Sequence, residues 1–487
     1  MNNEINQDKI NKAVWYACDT FRGILEPFDY KDFILTMLFL KYISDMHRNK
    51  ATGLTAESYN IPHGCSFWDL YEARHREGNG ERIDKALHSI EEANSKLEGV
   101  FQGISFNTDR LGVEKQKNDI LSHLLEDFGR DALNLVPSCV GTLDVIGNAY
   151  EYLIKHFAES TGKSAEEFYT PSEVSDLLSI ILEPQEGDTI CDPACGLGSL
   201  LIKCGKQVQK NFNGSRKYTL YGQEKVGSTW SLAKMNMFLH GEDNHRIEWG
   251  DTIRNPKLQD SAGGLLHFDV VTANPPFSMS QWGYENAVED RFGRFWRGVP
   301  PKSKADYAFI SHMVETLKPD TGRMGVVVPH GVLFRSSSEG KIRQKLIDEN
   351  LLDTVIGLPE KLFFGTGIPA VILIFKKKKT DDKVLFIDAS REFESGKNQN
   401  RLTIRNIHKI VDTYHARESI DKYSYLASLE EVHSNDYNLN IPRYVDTFEE
   451  KVEIDLRAVW AERLELQNEL AVLEKEMAGS LRKLGYE

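Results

Sequence analysis

The sequence lacks any apolar run long enough to cross a bilayer. Stretches such as Phe33 to Leu40 and Ala370 to Phe375 fall far short of the ~20 residues that a spanning helix needs. Its first residues, MNNEINQDKI, are polar and lack the apolar core of a signal peptide. A soluble protein of the cytoplasm, with no membrane partner, is expected. Cysteine is scarce: Cys18, Cys65, Cys139, Cys191, Cys195 and Cys204, with no CxxC pair. That argues against a disulfide scaffold and a structural zinc site, and predicts no metal and free, buried thiols. There is no GxxxxGK[ST] loop, so the chain is not a nucleotide-driven motor. Positive charge is in deficit, 59 Lys and Arg against 73 Asp and Glu, a net charge of −14. A chain that grips nucleic acid alone is usually basic. Either nucleic acid is not the partner, or another subunit supplies much of the positive surface.

What is present is ordinary globular composition, 40% apolar and 27% charged, in 487 residues. At ~150 residues per domain this predicts roughly three domains. Residues 1 to 165 read as helical. In Asp32 to Met46 the apolar residues Phe33, Ile34, Met37, Leu38, Tyr42 and Met46 recur at spacings of three and four. Residues 52–64 and the region of Gly78 to Gly80 read as loops. After Gly187 the pattern changes. The short apolar runs Thr189–Cys191, Lys217–Tyr221, Ile247–Trp249, Phe268–Ala273, Arg323–Val328, Leu352–Ile356 and Val371–Phe375 alternate with helical patterns. They predict buried parallel strands of an α/β sheet, whose ligands bind at the carboxyl ends of the strands. The run Lys376 to Lys379 reads as a solvated strand end. From Val452 on, Val452, Leu456, Val459, Leu466, Leu470, Leu473 and Met477 follow a four–three spacing, interrupted by Arg463. Such a seam fits a partner helix, or packing on the chain's own domain.

The residues just after the expected strands carry the chemistry. The first run leads into Asp192-Pro193-Ala194-Cys195-Gly196-Leu197-Gly198-Ser199. Gly196 and Gly198 let the backbone approach a ligand, and the next helix presents its N-terminus there. Leu201 stands where a dinucleotide fingerprint wants its third glycine, which argues against NAD or FAD. Glu224 follows the second run, where an acid can accept from two ribose hydroxyls. Asp251 follows the third, where it could accept from an adenine amine. Together they suggest an adenosine-containing cofactor. The fourth run ends in Asn274-Pro275-Pro276-Phe277. Pro275 forces Asn274 toward an extended backbone. The Asn274 amide oxygen and the Pro275 carbonyl can then converge on both protons of one planar –NH2 group. If a bond forms to that nitrogen its protons become more acidic, so the two acceptors hold it more tightly in the transition state. Phe277 offers a ring for a planar base to stack on.

DPACGLGS with NPPF resembles the class I S-adenosylmethionine-dependent amino-methyltransferases. Glu167-Phe168-Tyr169-Thr170-Pro171-Ser172 is similar to the cofactor motif upstream of the glycine turn in DNA adenine-N6 enzymes of the γ arrangement. More specifically the chain resembles the modification (M) subunit of type I restriction–modification systems. Further matches are Lys304-Ala305-Asp306-Tyr307-Ala308-Phe309, the segment from Gly322 to Pro329, Thr366-Gly367-Ile368-Pro369-Ala370, and the segment from Asn438 to Tyr444. The resemblance implies a Rossmann-like methyltransferase sheet over 166–445, an N-terminal helical domain over 1–165, and a coiled-coil-like helix over 446–487 that docks a specificity subunit. It implies that Glu167, Phe168, Tyr169, Thr170, Pro171 and Ser172 lie against S-adenosylmethionine. Asp192, Gly196, Leu197, Gly198 and Ser199 would surround its methionine part, Glu224 its ribose and Asp251 its adenine. Asn274, Pro275, Pro276 and Phe277 would form the catalytic pocket for a flipped-out adenine. Leu197 departs from the small residue of many relatives, which leaves the backbone role intact.

The chain has no Pro-Cys dipeptide, which argues against cytosine-C5 chemistry and its cysteine nucleophile. Between the fourth strand and the next helix, Arg291, Arg294, Arg297, Lys302 and Lys304 interleave with Phe292, Phe295 and Trp296. Such a loop suits phosphates and an opened duplex, or is an ordered surface loop. It is too small to read a long DNA sequence. The resemblance assigns that reading to the specificity subunit, with two M chains for each, and cleavage to a restriction subunit. Two other readings share some features. Protein glutamine-N5 methyltransferases also use Asn-Pro-Pro but usually carry Tyr next and lack the helical flanks; a non-catalytic DNA-binding scaffold would not need the intact motif set.

Overall fold

The structure is a computed structural model and describes residues 7–48, 59–136, 143–161, 169–363, 367–396, 399–447 and 456–486. Glu167, Phe168, Cys139 and Val452 lie outside the described residues. Residues 1–445 form one compact unit and residues 446–487 a second. The boundary expected at 165 falls within the first of them.

Among the described residues, the first unit opens with six α-helices: α1 (Gln7–Ala17), α2 (Pro27–Arg48), α3 (Phe67–Glu72), α4 (Asn79–Glu92), α5 (Glu114–Phe128) and α6 (Leu143–Thr161). The helix expected from Asp32 to Met46 is the body of α2, with Phe33, Ile34, Met37, Leu38 and Tyr42 buried. The loop expected around Gly78 to Gly80 ends at Gly78. Asn79 and Gly80 already belong to α4, and a Cβ on Gly80 would lie 2.8 Å from the Phe106 carbonyl oxygen. On α6, Ile146, Ala149, Tyr150, Leu153, Ile154, Phe157 and Ala158 are buried, a stripe at three- and four-residue spacing.

The rest of this unit alternates helix and strand: α7 (Ser172–Leu182), β1 (Thr189–Asp192), α8 (Ser199–Asn211), β2 (Thr219–Glu224), α9 (Gly227–Leu239), β3 (His245–Trp249), β4 (Val270–Ala273), α10 (Tyr284–Ala287), α11 (Asp306–Glu315), β5 (Arg323–Pro329), α12 (Ser337–Asp348), β6 (Leu352–Gly357), β7 (Ala370–Lys376), β8 (Lys383–Asp388), α13 (Ile404–Ala416), β9 (Ser424–Ser428) and α14 (Leu429–Ser434). The helical segment shares its core with the α/β part: Leu232, Met235, Phe238 and Leu239 of α9 belong to the same apolar cluster as α2 and α6. The Tyr150 hydroxyl donates to the Leu232 carbonyl at 3.2 Å.

The strands form one nine-stranded sheet in the order β3-β2-β1-β4-β5-β7-β6-β8-β9. β1 to β5 pair in parallel, and so do β6 and β8. The expectation that all seven runs are parallel is corrected at β7, which runs antiparallel to both β5 and β6. A strand buried between two neighbours reads as a continuous apolar run whichever way it points. Its direction follows from its connection: the described part of 358–369 contains no crossover helix. β8 and the polar edge strand β9 are additions to the runs read from the sequence. The lysine run begins at the strand end and is only partly solvated: Lys378 is exposed, but Lys376 pairs with Asp353 at 3.3 Å, and the buried Lys379 ammonium donates to the Leu352 carbonyl at 2.8 Å.

The sheet reverses its winding between β1 and β4, which opens a crevice at their carboxyl ends. Asp269 locks the opposite ends of the same two strands. Its carboxylate accepts from Thr189 N at 2.9 Å and from Lys318 Nζ at 2.6 Å. Burial works against its charge, but Lys318 and the Thr189 and Thr321 donors hold its pKa down at about 2.

Among the described residues, the second unit contains one helix, α15 (Leu456–Lys483). Val459, Leu466, Leu470, Leu473 and Met477 are all exposed along it. Among the described residues, no helix is long and apolar enough to cross a membrane.

Candidate active site

The crevice between β1 and β4 gathers the residues read from the sequence. Tyr169, Thr170, Asp192, Gly196, Leu197, Ser199 and Asn274 line one cavity, together with Ala194, Cys195 and Leu200. After β1 the chain turns through Gly196 at φ +52° and Gly198 at φ +79°, a left-handed backbone that glycine adopts without strain. Gly198 caps α8 without a side chain, so the first-turn N–H groups of that helix are not occupied by a capping group.

Of the acids at the strand ends, Asp192 and Glu224 are buried and Asp251 is half-buried. Asp192 accepts from Ala194 N at 2.9 Å, and burial, reinforced by Glu224, raises its pKa to about 8. Glu224 accepts from Gly196 N at 3.0 Å and Val226 N at 2.8 Å, yet burial still raises it to about 7. Each of its oxygens keeps a further lone pair. Asp251 caps Ile253 N and Arg254 N at 3.1 and 3.0 Å, and its other oxygen lies 3.1 Å from Lys225 Nζ. The Cys195 thiol lines the cavity, but burial pushes it far from ionisation, so it is a packing group and not a nucleophile.

Beyond β4, Asn274 donates from Nδ2 to Thr170 Oγ1 at 3.1 Å. Its Oδ1 is buried without a hydrogen-bond partner. The amide is therefore fixed with its acceptor unspent. Phe277 meets Phe363 edge-on at 5.9 Å. The next residue, Ser278, is at φ +52°, and its N–H donates to the buried Asp306 carboxylate at 2.8 Å. Asp306 also pairs with Arg335, so α11 fastens the turn that carries Phe277.

These features fit the adenosyl sulfonium cofactor: buried carboxylates at successive strand ends, a glycine turn, and an orphaned acceptor beside them. Residues 141–453 match the family model of the N-6 DNA methylases, and residues 10–128 match the HsdM N-terminal domain. The chain belongs to the N-6 DNA methylase family. It is 33% identical to the methylase subunit of the type I restriction enzyme MjaVII of Methanocaldococcus jannaschii, over 99% of this chain and 84% of that protein. It is 29% identical to the MpnII methylase subunit of Mycoplasma pneumoniae, over 92% of this chain and 91% of that protein. Among solved structures, the type I restriction-modification system methyltransferase subunit from Streptococcus thermophilus matches with a TM-score of 0.81 at 35% identity, covering 91% of this chain and all of that one. This methylase is thus an S-adenosylmethionine-dependent, adenine-specific DNA methyltransferase of the type I kind.

The basic loop of this methylase needs a correction. Arg294 is buried and pairs with Asp290 at 2.7 Å, also donating to the Thr252 and Ile253 carbonyls. Arg297 is buried between Glu315 and Glu349. Neither can meet a phosphate; their spacing among aromatics reflects a folded-in loop. Arg291 and Lys302 are exposed, and Lys304 donates to Ser278 Oγ at 3.3 Å, one residue beyond Phe277.

A second cavity, about 220 Å³, adjoins the first and shares Tyr169, Thr170 and Ser199 with it. Ser172 faces this one. Its other walls include Glu151 and Lys155 of α6 and Lys203 of α8, none of them singled out from the sequence. The available signal was the polar strip Asn148, Glu151, Tyr152, Lys155 at helical spacing, opposite the apolar stripe of that helix.

Proposed function

We propose that this chain is the modification subunit that methylates the N6 amine of a flipped-out adenine in duplex DNA, at sites chosen by a specificity subunit, and that the assembled complex needs it for both modification and restriction. The observation that carries the reading is the buried, unpartnered Asn274 Oδ1, fixed by Thr170. S-adenosylmethionine supplies an electrophilic methyl group on a sulfonium. Asn274 Oδ1 and the Pro275 carbonyl accept the two N6 protons, which aims the nitrogen lone pair away from the ring plane. Their hold strengthens as positive charge develops on nitrogen. Phe277 stacks on the extruded base, worth about 1–3 kcal/mol against a flipping cost of similar size. Pro276 keeps the turn rigid.

Glu224 accepts from the ribose hydroxyls and Asp251 from the adenine amine of the cofactor. Asp192, Gly196, Leu197, Gly198 and Ser199 surround its methionine part. Tyr169, Thr170, Pro171 and Ser172 lie against it. Arg291, Lys302 and Lys304 meet DNA phosphates. The chain divides functionally into a helical domain over 1–165, a methyltransferase domain over 166–445, and a docking helix over 446–487. The exposed seam on that helix supports docking to the specificity subunit, with two methylase chains for each and a restriction subunit joining the full complex in the cytoplasm.

The deciding experiment is transfer of labelled methyl groups to duplex DNA with and without the specificity subunit. N6-methyladenine formed with that subunit present is the expected product. Label on a protein glutamine, or no transfer in the assembled complex, overturns the reading.

A further inference from the structure

The β5 side of the crevice carries a raised rim. β4 and β5 run parallel, and Ala273 is level with Val326. Asn274 therefore stands level with Val327, while β5 continues through Val328 and Pro329 into the turn His330–Leu333. At ~3.3 Å per residue, His330 lies about 10 Å further out than Asn274 along the same direction. An adenine delivered from a duplex to Asn274 passes this turn.

The rim is held firmly. Val332 and Leu333 are fully buried. The Val332 carbonyl accepts from Tyr307 Oη at 3.1 Å and Arg343 Nη1 at 3.2 Å, and the Leu333 carbonyl accepts from Leu439 N at 2.9 Å. Phe334, at the end of the turn, faces outward with 44% of its surface exposed. Its ring meets His330 edge-on at 6.0 Å, and His330 N donates to the Pro369 carbonyl at 3.1 Å, which brings the exposed Ile368 and Pro369 to the same rim. Burial lowers the pKa of His330, so that ring is neutral near pH 7. A single exposed aromatic is ordinary on a protein surface. What sets Phe334 apart is its link to the active site. Arg335, the next residue, pairs with Oδ2 of Asp306, and Oδ1 of the same carboxylate accepts from Ser278 N at 2.8 Å, one residue beyond Phe277. One buried carboxylate thus fastens both the Phe277 turn and the Phe334 turn.

We infer that Phe334 is the wedge that enters the duplex at the target step and fills the space left by the flipped adenine. The inference rests on the methyltransferase reading and deepens it. Extruding a base breaks its pair and its stacking on both neighbours, and an inserted apolar side chain restores part of that stacking. Phe277 stacks on the adenine once it is out, and so cannot occupy the gap it leaves. Two rings fastened to Asp306 then act on one step from two sides, Phe334 in the duplex and Phe277 on the extruded base. The clamped turn presents its ring already ordered, so insertion costs little conformational entropy. Duplex DNA is the occupant because the rim is continuous with the mouth that admits the base. Lys304, bound to Ser278 Oγ at 3.3 Å, brings a cation for the phosphates to the same network.

The test is single-turnover methyl transfer by the complex with its specificity subunit, on two duplexes carrying its site. One has thymine opposite the target adenine; the other has an abasic residue there. Phe334→Ala should slow transfer about tenfold or more on the paired duplex, yet run within about threefold of wild type on the abasic one, where the pair is already broken. Phe334→Trp, which keeps a ring, should recover most of the rate on the paired duplex. Unchanged S-adenosylhomocysteine binding by calorimetry shows that the variants fold. Phe334→Gln repeats the comparison should alanine weaken that binding. Equal slowing on both duplexes, no slowing on either, or loss of S-adenosylhomocysteine binding in both the alanine and glutamine variants overturns the wedge alone. A wild-type complex that methylates adenine in neither duplex overturns the methyltransferase reading and the wedge with it.

Discussion

Thr170 Oγ1 accepts a hydrogen bond from Asn274 Nδ2 at 3.1 Å across 104 residues of sequence. In the proposed mechanism this contact decides which end of the Asn274 amide faces the reacting nitrogen. With Nδ2 committed, Oδ1 is the end presented, and an acceptor is what an –NH2 group requires. Without the threonine hydroxyl the amide can turn over and offer a donor instead. Thr170→Val should lower kcat about 10- to 100-fold with KM for S-adenosylmethionine changed less than about threefold, and Thr170→Ser should restore most of the rate. An equal effect of valine and serine in steady-state methyl transfer would show that the hydroxyl is not the orienting group.

Asn274→Ala removes the acceptor itself. Methyl transfer should fall at least about 10²- to 10³-fold, the usual cost of deleting one group that stabilises transition-state charge. Binding of S-adenosylhomocysteine by calorimetry should survive, because the proposed ribose and methionine contacts lie on β1, β2 and the glycine turn. Loss of both together would move Asn274 from the chemistry to the cofactor site.

The buried acids predict an opposed pH behaviour of fold and ligand. The Glu224 and Asp192 carboxyls have pKa values raised to about 7 and about 8, chiefly by burial. A raised carboxyl pKa means that the folded state binds the proton more tightly than the unfolded chain. Its stabilising effect is complete below pH ~4 and is lost as pH rises toward 7 and then 8. In the proposed site, cofactor binding draws on the ionised forms, so affinity should rise over that upper range. Thermal melts of the free protein should show Tm falling between pH 6 and pH 8.5, with a shallower fall in Asp192→Asn. Calorimetry over the same range should show tighter S-adenosylhomocysteine binding with proton release. A Tm that rises with pH would be the wrong sign.

The arginines of the 291–304 loop should separate into two classes. Arg294 and Asp290 are both buried, so Arg294→Ala leaves a carboxylate stranded and should cost about 3–5 kcal/mol, read as a lower Tm. Arg291 is exposed, and Arg291→Ala should leave Tm unchanged while the salt dependence of DNA binding loses about one counterion's worth of slope. A loss of DNA affinity in Arg294→Ala at unchanged Tm would restore it to the DNA-facing set.

Much of this was legible in the sequence because it is local. The DPACGLGS turn and NPPF each carry their geometry in consecutive residues, glycines for the turn and prolines for the extended backbone. The buried strands announce themselves by apolar runs. What was not legible depends on distant partners. Whether an arginine among aromatics faces solvent is decided by Asp290 for Arg294, but by Glu315 and Glu349 for Arg297. The direction of β7 is invisible to a burial pattern that is the same either way round. Glu151 sits in a segment whose apolar stripe reads as plain helix, and only folding brings it beside Tyr169 and Lys203.

The last prediction concerns α15. Leu466, Leu470, Leu473 and Met477 form one stripe on a helix and are all 56% exposed or more, a cost in water that a partner helix would remove. Leu470→Glu with Leu473→Glu should abolish co-purification of the specificity subunit, as should deletion of 448–487. Neither change should alter S-adenosylhomocysteine binding, since every cofactor contact proposed above lies within residues 1–445. A charged pair in a coiled-coil seam is poorly tolerated, whereas on a solvated helix face it is neutral, so the double variant distinguishes a docking seam from an incidental stripe. Undiminished association with the double variant would move the docking site to another surface of the methylase and leave the chemistry at Asn274 untouched.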